Sequence, residues 1–205
     1  MIDTICNWFM TDWFGARSDL IISAIAAAII CISVILIGMF ADWIETLEYR
    51  AISRWSPRAA KIIVYRLTLP GTILHEYAHA AFGALFGAKI TKISCFDLSG
   101  DRLGHVNFQL RGGRIRCMIQ LGMLCCGPVF MGLAFVPLFA TFGMQSWMPW
   151  WGSILCGYMM ICVINHMGMS WVDVKNYLKS LWVVYPLVFS IIYVVRFFLI
   201  RGSVA

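Results

Sequence analysis

Apolar and polar residues fall into long separate blocks along this chain, unlike the mixed pattern of a soluble domain. Residues 20–40 carry no charged side chain. At about 1.5 Å per residue such a helix covers the ~30 Å hydrocarbon core of a bilayer. From Cys117 to Val172 there is again no Asp, Glu, Lys or Arg. That run predicts two helices, 117–142 and 150–169, broken near Gln145–Pro149. A further apolar helix is predicted over 178–200, interrupted by Arg196, with Ser170 as an alternative start. Another is predicted to start at Ser56-Pro57, a helix-start pair, and to run to about Gly87, with its membrane span over 67–88 and Pro70 near the middle of the whole helix to kink it. Residues 89–110 differ. Ile90, Ile93 and Phe96, then Val106, Phe108 and Leu110, alternate loosely with polar residues around a turn-like stretch at 97–102, which predicts a β-hairpin. The pattern implies an all-α polytopic membrane protein with about five transmembrane helices, a short hairpin after the second, and a single membrane-embedded domain over 1–205.

Composition agrees. The chain is 61% hydrophobic and 13% charged, against about half and a quarter in soluble domains. Net charge is +6, which suits the basic loops of a membrane protein and does not call for nucleic acid. Lys and Arg are more numerous on the side shared by residues 1–20, the hairpin and the loop at 173–179, which places the hairpin in the cytoplasm. Residues 1–20 hold three Asp and one Arg and lack a basic start and a small-residue cleavage site, so no standard signal peptide is expected. The eight cysteines form no C-x-x-C pair and read as reduced, small apolar packing residues.

Chemistry concentrates at His75-Glu76-Tyr77-Ala78-His79, an H-E-x-x-H motif inside the apolar block at 67–88. On a helix, positions i and i+4 share a face, so both imidazoles reach one metal ion. Glu76 beside them suits a general base acting on water. Three ionisable groups this close together in an apolar helix are costly without a partner such as a metal. The bland alternative has both histidines merely bonding neighbouring helices.

A catalytic zinc takes three protein ligands and keeps one open position. No Glu follows Glu76, and Leu85 stands where a metzincin has its third histidine; this excludes the thermolysin and metzincin patterns. Asp97, Asp101, Asp173, His105 and His166 remain. Asp97 and Asp101 read as turn residues and His105 as a surface residue on a strand. Asp173, at the membrane edge after the fourth helix, is the preferred third ligand, because an ionisable group there wants a partner. A capping role competes with this and is compatible with it, since Ser170-x-x-Asp173 resembles a capping box. His166 is a candidate substitute ligand, and Asn165 and His166 are candidate substrate-binding groups.

With Leu74-His75-Glu76-Tyr77-Ala78-His79-Ala80-Ala81 in a membrane helix, a hairpin just after it, a Gly127-Pro128 helix and a late intramembrane Asp, the chain resembles the site-2 protease family of intramembrane zinc metalloproteases. The resemblance covers roughly residues 67–179. It implies one Zn²⁺ per chain held by His75, His79 and Asp173, with Glu76 activating water. It departs from the family in the context of the Asp, here Trp171-Val172-Asp173-Val174 with Asn165 eight residues earlier. The expected substrate is a membrane protein or peptide in a lipid bilayer, with any regulation coming from a membrane partner. The expected location is multi-pass in a prokaryotic inner membrane. The rival expectation is a scaffold or transporter-like subunit with a structural metal. A second rival enzyme is an endopeptidase for soluble or prenylated peptides.

Overall fold

A computed structural model describes residues 18–95 and 104–202. The first helix, α1 (Ser18–Ser53), runs on past the apolar block through Asp42, Glu45 and Glu48. No proline interrupts it, and its polar half remains helical. Ser56 then caps a short helix, α2 (Pro57–Ala60), accepting a hydrogen bond from Ala59 N at 3.2 Å, with Pro57 at the first position. The chain widens directly into a π-helical segment, Lys61–Leu67, and restarts at Thr68 as α3 (Leu69–Leu85).

The single kinked helix expected from Pro57 to about Gly87 is therefore divided at Thr68. Pro70 lies in the first turn of α3, where its missing N–H leaves no hydrogen bond unmade. The break turns the Thr68 hydroxyl back to the Val64 carbonyl, to which it donates. Gly87, with φ +90°, ends α3; glycine takes this left-handed conformation without a Cβ penalty.

The hairpin is present as β1 (Lys89–Ser94) and β2 (His105–Gln109), antiparallel, with Ile90 opposite Phe108 and Ser94 opposite His105. A bulge falls between Ile90 and Lys92. The turn expected at 97–102, with Asp97 and Asp101, lies outside the described residues. Buried Gln120 holds the outgoing strand: its side chain accepts from Arg111 N at 2.9 Å and donates to Arg111 O at 3.0 Å. Three helices complete the chain: α4 (Arg114–Gly143), α5 (Trp150–His166) and α6 (Trp171–Gly202).

The chain divides into two compact units. The larger, Val34–Ser180, is built on α3, α4 and α5, which pack on one another, with the hairpin against α3. Small residues set these crossings. A Cβ on Gly71 would stand 2.0 Å from Cys162 O, and one on Gly127 would stand 2.7 Å from Ala78 O, so α3 meets both neighbours at backbone distance, as helices in lipid commonly do. The smaller unit contains α1 up to Ser33 and α6 from Leu181. There Arg196 Nη2 donates to Asp19 Oδ1 at 2.7 Å and the Tyr185 hydroxyl to Ala24 O at 3.3 Å.

The architecture is all-α with one small hairpin. Among the described residues three helices are long and apolar enough to cross a membrane, Asp19–Ser53, Arg114–Gly143 and Trp171–Phe198, fewer than the five expected. The other two, α3 and α5, have 17 residues each, or about 26 Å of helix. The restart at Thr68 and the stop at His166 shorten them. Cys95, Cys117, Cys125, Cys156 and Cys162 carry free thiols.

Candidate metal centre

His75 and His79 lie one turn apart on α3, their rings 4.6 Å between centroids and inclined at 79°. Neighbouring helices orient each ring through a backbone carbonyl. His75 Nδ1 is 2.5 Å from His166 O at the end of α5, and His79 Nδ1 is 2.8 Å from Leu124 O in α4. A carbonyl only accepts, so each Nδ1 carries the proton and each Nε2 presents a lone pair in the neutral ring. Those two lone pairs face each other, with Nε2 to Nε2 at 3.0 Å. Two acceptors at that separation repel unless a shared proton or a metal cation lies between them. Backbone anchoring of the second ring nitrogen is also the usual way a metal-binding imidazole is held.

Asp173 closes the third side. Its Oδ2 is 3.9 Å from His79 Nε2. One ligating atom from each of His75, His79 and Asp173 lies within 4.8 Å of the others. Ser170 positions that carboxylate: its backbone N and its hydroxyl donate to Asp173 Oδ2 at 3.1 and 2.5 Å, and its hydroxyl accepts from Asp173 N at 3.2 Å. The capping box and the ligand geometry thus coexist at the start of α6. Two Nε2 atoms and one carboxylate oxygen form a donor set that suits zinc, with room left for a fourth ligand. Among the described residues no other group of three such side chains converges in this way.

Glu76 is buried. Gly104, just before β2, presses on it so closely that a Cβ there would come within 2.7 Å of Glu76 Oε1. Both line a chamber of about 1100 Å³ that also contains His75, His79 and Asp173. Cys95, at the end of β1, feels the same carboxylate: burial first, then the nearby Glu76, pushes its thiol above the ordinary range.

The remaining candidates separate clearly. The His166 side chain points away from the cluster, with Nε2 2.7 Å from the Thr68 hydroxyl and Nδ1 3.8 Å from Glu45 Oε2. Its carbonyl is what reaches His75. Asn165 donates to Glu48 Oε2 at 2.7 Å and so braces α5 on the polar half of α1 instead of facing the cluster. His105 lines the chamber but stands outside the three-residue group. The roles of the Leu124 and His166 carbonyls, of Thr68 and of Glu45 were not foreseen. A main-chain acceptor has no signature in sequence; for Glu45, its spacing of i+3 from Asp42 was the available signal.

No protein-family model matches the chain, and neither the curated proteins nor the solved structures contain a match to it.

Proposed function

We propose that this chain is an intramembrane zinc metalloprotease resembling the site-2 proteases, hydrolysing peptide bonds in or near transmembrane segments of membrane proteins. The observation that carries the reading is the pair of inward-facing Nε2 lone pairs, 3.0 Å apart, closed by the Asp173 carboxylate beside buried Glu76. A bound zinc would polarise the scissile carbonyl and make a water acidic enough to give up its proton near neutrality. His75, His79 and Asp173 hold the metal, each fixed in turn by His166 O, Leu124 O and Ser170. Glu76 takes the proton from the attacking water and returns it to the leaving amine. The free edge of the hairpin offers main-chain groups to a substrate segment that has unwound for cleavage. In this reading α1, α3, α4, α5 and α6 all enter the bilayer, the two short helices among the three long ones, and the protein is a multi-pass component of a cell membrane.

The test is Glu76→Gln in the purified chain, measured for bound zinc and for cleavage of a transmembrane peptide. Zinc should remain near one per chain while cleavage falls about 10³-fold, within the range for a lost general base. Unchanged cleavage would remove Glu76 from the mechanism. A chain that holds zinc yet cleaves no membrane peptide would favour the structural-metal rival.

A further inference from the structure

The chamber that contains the three-residue cluster extends back to the stretch before α3. The residues that line it there are Arg58, Lys61, Ile62, Tyr65 and Arg66. All five line the one chamber, from α2 through the π-helical segment. Three of the five are cations, and all three cations are exposed. In the same chamber α1 presents Asp42 and Glu45. Opposite charges therefore line one space, yet among the described residues none of these cations comes within 4.0 Å of a carboxylate. The acidic side is engaged elsewhere in part: Glu45 Oε2 stands 3.8 Å from His166 Nδ1. Between the two faces the rings of Tyr49 and Tyr65 stack at 5.6 Å. Tyr65 belongs to the cationic face, so this contact anchors that face in place and leaves its charges turned to the chamber.

Resting on the protease reading, we infer that Arg58, Lys61 and Arg66 form a specificity site for an acidic side chain in the substrate segment that extends from its cleaved bond. A peptide is the ligand favoured over a lipid headgroup, because these cations share one continuous chamber with His75, Glu76 and His79. A group bound at the cationic face therefore belongs to a molecule that can reach the cluster, while β2 lines the same chamber through Val106 and Phe108 for the opposite side of an extended chain. The site binds carboxylates through two guanidinium forks, each able to bond both oxygens, and one ammonium that acts as a point charge.

The test separates binding from turnover. Fluorescent transmembrane peptides carrying Asp-Glu or the isosteric Asn-Gln outside the apolar stretch are titrated, in neutral detergent, onto full-length Glu76→Gln protein loaded with zinc. The acidic peptide should bind about five- to tenfold more tightly, the sum expected of two exposed ion pairs. The preference should shrink between low and high salt, and should vanish in Arg58→Gln/Lys61→Gln/Arg66→Gln. Arg58→Glu/Lys61→Glu should turn it towards a Lys-bearing peptide and guards against a folding artefact in the first variant. Equal binding of both peptides by the unsubstituted face overturns the inference whether or not the native chain cleaves either of them. A triple variant that changes only retention on anionic vesicles assigns the face to lipid and overturns it as well. Cleavage by the native chain without acidic preference leaves the protease reading standing and removes this one alone.

Discussion

Two places in this molecule set ionisable groups into apolar helices, and they handle the cost in opposite ways. In the smaller unit Arg196 is buried and meets Asp19 at 2.7 Å; donor and acceptor complement each other and the charges cancel. In the larger unit His75 and His79 turn like acceptors on each other at 3.0 Å, with a carboxylate beside them. The first arrangement sets opposite charges directly against each other. The second sets electron pairs against one another, which a shared proton or a bound cation relieves. A buried polar group that satisfies itself reports on packing; one held open by rigid outside partners reports on a ligand.

The sharpest way to break the comparison is Asp173→Ala. Zinc affinity, followed by competition with a chelator, should fall well beyond the roughly 100-fold that losing an orienting partner costs, while His166→Ala should stay within that range, because its carbonyl persists. A larger loss in His166→Ala than in Asp173→Ala would reverse the assignment. Next in size, Gly71→Val forces a side chain into the space of Cys162 O and should cost about 3 kcal/mol in a detergent unfolding assay. Because it pries α3 from α5, it should weaken zinc binding too; retained affinity would show that the His75–His166 contact is dispensable. Arg196→Met is expected to cost about 2 kcal/mol, below a fully buried pair because Asp19 is 41% exposed, and to leave zinc content untouched. Restoration of stability in Arg196→Met/Asp19→Leu would show that the single variant's cost comes from leaving Asp19 without Arg196. The smallest effect belongs to Ser170→Ala, about 1 kcal/mol for the lost cap, with about a tenfold drop in zinc affinity as the carboxylate loses its tether. If only stability changes, Ser170 caps α6 without steering Asp173.

What could be read in the sequence was whatever depends on spacing along one element. The i, i+4 histidines, the alternation of the hairpin and the Ser170–Asp173 cap are local patterns, and the structure contains all three. Asn165 was misplaced because helix phase decides its direction: adjacent to His166, it points a different way and finds Glu48. The restart at Thr68 was hidden because Arg66 marks a membrane edge as readily as a helix break and Pro70 signals a kink and a first turn equally. The carbonyls of Leu124 and His166 depend on how three helices cross, which no window along the chain contains.

One further consequence follows from Gly38. Its carbonyl accepts from Met169 N at 3.0 Å, in the short link that leads to Ser170 and Asp173. The apolar stretch of α1 ends two residues on, at Phe40, and charge resumes at Asp42. In the proposed reading the carboxylate ligand is thereby hung at the waterline of α1, not at mid-depth. The reaction consumes one water per bond broken, and that supply would need only a shallow inlet, so turnover should depend little on bilayer thickness so long as residues 20–40 remain spanned.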